Sequence, residues 1–167
     1  MVFDYSVADA EFTSYQVIFG ADAKAVGFKD TDKKELPKDG RIVLKSHEIS
    51  DKTDSINPIH PGSYKMNVVF YYKTDSGEVQ SCEHEVALKV LYETATMEQK
   101  FGNVIAILNA ENNGGYEFDY YQWYKNGEPI EGENNTYIHL EGEDINPTDI
   151  YTVGLVRKGE TEEILCC

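Results

Sequence analysis

The 167-residue sequence is poor in positive charge and in cysteine, has a single tryptophan, and carries no long apolar run. Fifteen basic residues against thirty acidic ones give a formal net charge of −15. A field of that sign repels nucleic acid and anionic lipid, so neither is an expected partner. No stretch is long enough in apolar residues to cross a bilayer. Met1-Val2-Phe3-Asp4 lacks the basic flank and apolar segment of a signal peptide, so the chain is read as either cytosolic or a piece of a longer exported protein. Cys166 and Cys167 are adjacent and poorly placed to bridge each other, and Cys82 falls in the other half of the chain. No disulfide within a domain is therefore expected.

Signatures of catalysis are also missing. There is no Gly-rich phosphate loop, no Cys-x-x-Cys, no histidine pair at helical spacing and no nucleophile motif of the usual hydrolase scaffolds. His47, His60, His84 and His139 are scattered over four segments. The expectation is a protein that is not an enzyme and needs no cofactor.

What the sequence does have is 41% hydrophobic residues, enough for a core, arranged in short β-type runs between turn signals. Expected strands in the first half are Val2 to Val7, Tyr15 to Phe19, Ala23 to Phe28, Arg41 to Ser46, Ser63 to Lys73 and Val79 to Val90. The last two flank Thr74-Asp75-Ser76-Gly77 and read as a hairpin. Tyr64, Met66, Val68 and Phe70 share one parity and Cys82, Val86, Leu88 and Val90 another, which makes these the core faces; His84 falls on the second and reads as partly buried near the sheet edge. Residues 29–40 and 49–61 read as loops. No helix is required, since Ala21 to Ala25 is too short to stand alone.

In the second half, Tyr92 to Thr96 reads as a linker or a first edge strand. Strands are expected at Val104 to Leu108, Tyr116 to Lys125, Tyr137 to Leu140, Ile150 to Arg157 and Thr161 to Cys166. The central one carries Tyr120-Tyr121-Gln122-Trp123-Tyr124-Lys125 and ends in Asn126-Gly127, which suits a two-residue turn. Trp123 on a third strand, and Tyr151 with Val153 two residues later, have the pattern of an immunoglobulin-like core tryptophan and tyrosine corner, Ile105 or Ile107 replacing the usual cystine partner. Tyr64 and Met66 repeat the pattern. The fold expected is all-β, with two tandem immunoglobulin-like β-sandwich domains, residues 1–91 and 92–167.

Two ligand surfaces are candidates. Tyr120, Tyr124 and Tyr137 alternate away from the Trp123 face and could stack on sugar rings. Glu131, Glu133, Glu141, Glu143 and Asp144 lie in loops about Tyr137 to Leu140 and could offer oxygens to calcium, although their spacing matches no EF-hand. Asn134-Asn135-Thr136 has the form of a glycosylation tripeptide and Asp54-Ser55-Ile56 that of a short O-glycosylation signal.

Gln99-Lys100, Val104, Asn109, Asn113-Gly114-Gly115-Tyr116-Glu117-Phe118, Gln122 to Gly127, Ile130, Gly132, Tyr137, Tyr151 and Val153 resemble a module near the C-termini of surface and exported proteins of Bacteroidetes. The Tyr64 region resembles the immunoglobulin-like or PKD-like repeats that precede such modules. Phe101, where that module has Trp, and the Cys166-Cys167 ending depart from its pattern. The resemblance implies a piece of a longer exported protein at the cell surface or in the periplasm, with a spacer, adhesion or protein-interaction role and protein or glycan as partner. A carbohydrate-binding module and a calcium-dependent adhesin domain are the alternatives.

Overall fold

A computed structural model describes residues 1–4, 12–52 and 59–166, the side chains of Phe3 and Thr94 excepted. The expected strand beyond Asp4, the Asp54-Ser55-Ile56 signal and Cys167 lie outside the described residues. The chain divides into two compact units, Met1–Val90 and Leu91–Cys167. The regular structure of both is mostly antiparallel β-sheet.

In the first unit the strands are β1 (Val2–Asp4), β2 (Phe12–Phe19), β3 (Lys34–Glu35), β4 (Arg41–Val43), β5 (Gly62–Lys73) and β6 (Val79–Val90). They form a four-stranded sheet, β3-β2-β5-β6, and a pair, β1-β4. Alternation along β2 and β5 sends Tyr15, Val17, Phe19, Tyr64, Met66 and Val68 to one face, where they bury against Ile42 and Leu44 from the β4 region. The β5–β6 hairpin pairs Lys73 with Val79. Its loop closes through Gly77, whose φ of 84° a side-chain-bearing residue rarely adopts.

Four expectations are corrected in this unit. Ala23 to Phe28 is not a strand: Ala21–Ala25 forms a helix, α1. Five residues cannot hold a helix alone, but Ala23 is fully buried in the core, and the Lys24 N–H donates to the Gly20 carbonyl at 3.0 Å. A second short helix, α2 (Ser46–Ile49), ends the expected strand at Val43 and buries Ile49. The loop 29–40 contains β3. Finally, Cys82 and His84 are exposed rather than packed inside. The strand β6 is an edge, and only its second half, Val86, Leu88 and Val90, reaches the core.

The second unit contains β7 (Met97–Phe101), β8 (Val104–Ile107), β9 (Phe118–Lys125), β10 (Glu128–Pro129), β11 (Tyr137–His139), β12 (Tyr151–Arg157) and β13 (Glu163–Cys166). Its sheets run β10-β9-β12-β13 and β11-β8-β7. Their inner faces share one core of Trp123, Val153, Leu155 and Ile164 from the first sheet and Ile105 and Ile138 from the second, a β-sandwich-like arrangement. Of the two readings of the stretch from Tyr92, linker or first edge strand, the surroundings of Tyr92 fit the second: it is 4% exposed, packs in this core and pairs with Cys166 in a parallel bridge. The strand β7, formed by the polar run MEQKF, follows it. Its pairing with β8 sets it at the sheet edge, where polar side chains face water.

Candidate functional site

The second unit is assembled around β9. Trp123 is fully buried opposite Val153 on β12, and its indole Nε1–H donates to the Asn135 carbonyl at 2.9 Å, so the ring's one polar atom is satisfied inside the core. Asn126 and Gly127 have φ of 53° and 86°, the backbone of a tight turn matched to strand twist, and they return the chain into β10. The Asn126 side chain also accepts from the Ile150 N–H at 2.9 Å and donates to Asp149 at 3.0 Å, tying this turn to the start of β12.

The opposite parity of β9 faces outward. Here Tyr120 is 43% exposed, whereas Tyr124 is half-buried and donates its hydroxyl to Glu163 Oε1 at 2.8 Å. The Glu163 carboxylate reaches it by lying across Gly154, where an added Cβ would come within 2.0 Å of Oε1. That hydrogen bond, with burial and the carboxylate's charge behind it, pushes the Tyr124 phenol up to about 12. Tyr124 is therefore a donor already engaged. Tyr137 is 51% exposed but lies on β11, in the other sheet. The structure does not assemble the three tyrosines into one surface.

The acidic loops are likewise not drawn together. Glu131 is exposed, and Glu133 lies in the turn after β10, where its carbonyl accepts from the Trp123 N–H. Glu141, Glu143 and Asp144 follow β11, with Asp144 lying close over Gly102. Among the described residues no three His, Cys, Asp or Glu side chains gather as a metal would require.

The two corner tyrosines differ. The Tyr64 hydroxyl donates to the His60 carbonyl at 2.6 Å, four residues back, and Met66 beyond it is buried. Tyr151 is buried and Val153 beyond it is in the core, but its hydroxyl meets Lys125, whose Nζ lies 5.7 Å from the ring centroid.

Sequence reasoning missed the construction of the loop between β8 and β9. Asn113, 6% exposed, donates from Nδ2 to the carbonyls of Leu108 (2.9 Å) and Tyr116 (3.0 Å) and accepts from the Tyr116 N–H (2.9 Å). One side chain thus closes the loop from both ends. The signal was present, since asparagine amides readily replace backbone partners in turns, and Gly114 and Gly115 both take φ of 87°. Behind the loop, Tyr92, Tyr116, Phe118 and Tyr121 meet edge to face, and the Arg157 guanidinium sits 4.4 Å from the Tyr116 ring centroid. Comparison with family models, curated proteins and solved structures returned no match for the chain.

Proposed function

We propose that the chain is a non-enzymatic pair of immunoglobulin-like modules from an extracytoplasmic or cell-surface protein, serving in adhesion, spacing or protein interaction. One observation carries the reading: the strand order is the same in both units. The sheets β3-β2-β5-β6 and β10-β9-β12-β13 repeat one connection pattern, and the pair β1-β4 corresponds to β8-β11, with β7 added in the second unit. This order suits a C′CFG sheet facing B and E, with A in the second unit, as an immunoglobulin-like sandwich would have it, and so supports the reading. Tyr64 and Tyr151 occupy equivalent places near the start of the F strand, in β5 and β12. Repeats of this kind present rigid sheets and exposed loop ends, which suits holding partners and separating them.

The resemblance to exported Bacteroidetes modules supports the compartment, and the acidic surface suits an exported, soluble repeat. Beads coated with the intact chain test the proposal against panels of purified surface proteins and glycans. Saturable, reversible capture of a ligand that is recovered chemically intact is expected. Turnover of any captured ligand would overturn it, and no capture across both panels would overturn adhesion and protein interaction and leave spacing alone.

A further inference from the structure

At the end of the second unit where β8 leaves and β9 enters, the two sheets part around a cleft of about 560 Å³. That volume lies within the roughly 300–1,000 Å³ of small-molecule sites. We propose that this cleft binds a neutral saccharide. The proposal goes beyond the interaction reading, which requires no small-ligand site, and either can fail without the other.

The floor is apolar and aromatic: Ile107, Leu108, Phe118 and Tyr121 line it while only half-buried. A pyranose ring offers aliphatic C–H faces that pack on such rings, leaving its hydroxyls at the periphery. The rim supplies what those hydroxyls need. The Asp119 carboxylate and the Thr136 hydroxyl line the cleft, are exposed, and make no hydrogen bond among the described residues. Asn109 accepts from Asn112 through Oδ1, which leaves its own amide N–H groups to donate.

The loop bearing half of this rim is held in place before any ligand arrives. Asn113 pins it at both ends, as described above, and the Arg157 stack fixes the Tyr116 ring at its base. A site ordered in advance loses less entropy on binding. The charge of the cleft narrows the ligand further. Glu117 and Asp119 both contribute carboxylates, and the one lysine, Lys158, is paired with Glu117 at 2.7 Å. The remaining charge is negative, so uronate, sialylated and sulfated sugars are disfavoured. The Asn113-Gly114-Gly115-Tyr116 motif thereby has a role, as the frame of a ligand pocket.

The test is nuclear magnetic resonance of the isotope-labelled whole chain titrated with cello-, manno- and N-acetylchito-oligosaccharides, with oligogalacturonate and a lysine-rich peptide alongside. At least one neutral series is expected to shift amides of residues 107–121 and 136 in a saturable way. Asp119→Ala and Thr136→Ala, both on exposed side chains, should weaken that binding by roughly tenfold each. Tyr120→Ala, on the outer face of β9, should leave it unchanged. The spectrum of each variant reports directly whether the fold is kept. The proposal is overturned if no neutral series binds, if the shifts map elsewhere, if oligogalacturonate or the lysine-rich peptide binds the cleft as tightly, or if the rim variants bind like the parent. Any of these would leave the capture of protein partners by the intact chain where it stands.

Discussion

Replacing Glu163 with Gln should release Tyr124 from its raised ionisation. In the parent the phenol lies at about 12 against an ordinary 10.0, chiefly because its hydroxyl donates to the Glu163 carboxylate at 2.8 Å. Gln keeps the size and an acceptor oxygen but removes the charge, so the midpoint should fall toward 10. The sign of the stability effect follows from the raised value. A phenol held protonated by the fold contributes its full stabilisation below pH 10, and that contribution fades as pH climbs through 12. Hydrogen bonds to charged groups are worth about 1.5–3 kcal/mol when buried. With Tyr124 half-buried and open to solvent screening, about 1 kcal/mol is the appropriate figure. In a unit of this size that lowers the unfolding midpoint by about 4–8 °C at neutral pH, with the difference between parent and variant closing as pH approaches 12. Gly154→Ala gives an independent route to the same state. Its Cβ would sit 2.0 Å from Oε1, so the carboxylate must leave although its charge stays in the sequence. Tyrosine ζ-carbon resonances followed against pH read the midpoint of Tyr124 apart from the other eleven tyrosines. A parent midpoint near 10, or one still near 12 in Glu163→Gln, would refute the reasoning.

Trp123→Ala, by emptying the core of the second unit and orphaning the Asn135 carbonyl, should cost about 3–5 kcal/mol by chemical denaturation; a loss under about 1 kcal/mol would mean the ring is not the core anchor. Tyr64→Phe removes a backbone-directed hydrogen bond and should cost about 1 kcal/mol, whereas Tyr151→Phe, whose hydroxyl meets the exposed Lys125 side chain, should cost less; equal losses would show the two corners to be alike. Lys34, at 2.8 Å, and the Lys45 N–H lower Glu48 to about 2, so its contribution, about 1 kcal/mol after screening, is present above pH 4.5 and lost as pH falls toward 2. Glu48→Gln should flatten that acid limb in a pH series of denaturation curves, and an unchanged limb would count against the ion pair.

The strands were legible where period and punctuation agreed. Asn126-Gly127 marked its turn because few residues tolerate those dihedrals, and Trp123 marked its core position because no exposed sheet face accommodates a lone indole cheaply. The failures have one physical source. Ala21–Ala25 lacks the length to predict a helix, yet the burial of Ala23 stabilises one. Cys82 and His84 have core parity, but parity cannot say where along an edge strand the core ends. Tyr92 could be read as linker or as edge strand because its partners, Tyr116, Phe118 and Cys166, come from distant parts of the sequence. In each case tertiary contact decided what local pattern could not.

The same reasoning explains why the three tyrosines do not come together as one surface. Alternation along β9 correctly turned Tyr120 and Tyr124 outward, but whether an outward tyrosine is available depends on its neighbours across the sheet. Glycine at 154 let Glu163 cross to Tyr124 and occupy its hydroxyl, a consequence of register that no local window contains. Tyr137 was separated from both by the assignment of β11 to the other sheet. The cleft shows the converse. Asn109, Asp119 and Thr136 stand in three unremarkable contexts along the chain, and only the return of β8, β9 and β11 to one end of the sandwich sets them around one aromatic floor. Single residues of high information content, Trp123 above all, report the core because burial selects residue type strongly. A rim of small polar groups around a cleft is selected only by the arrangement of its members, which is why such a cleft is read from topology and not from motif.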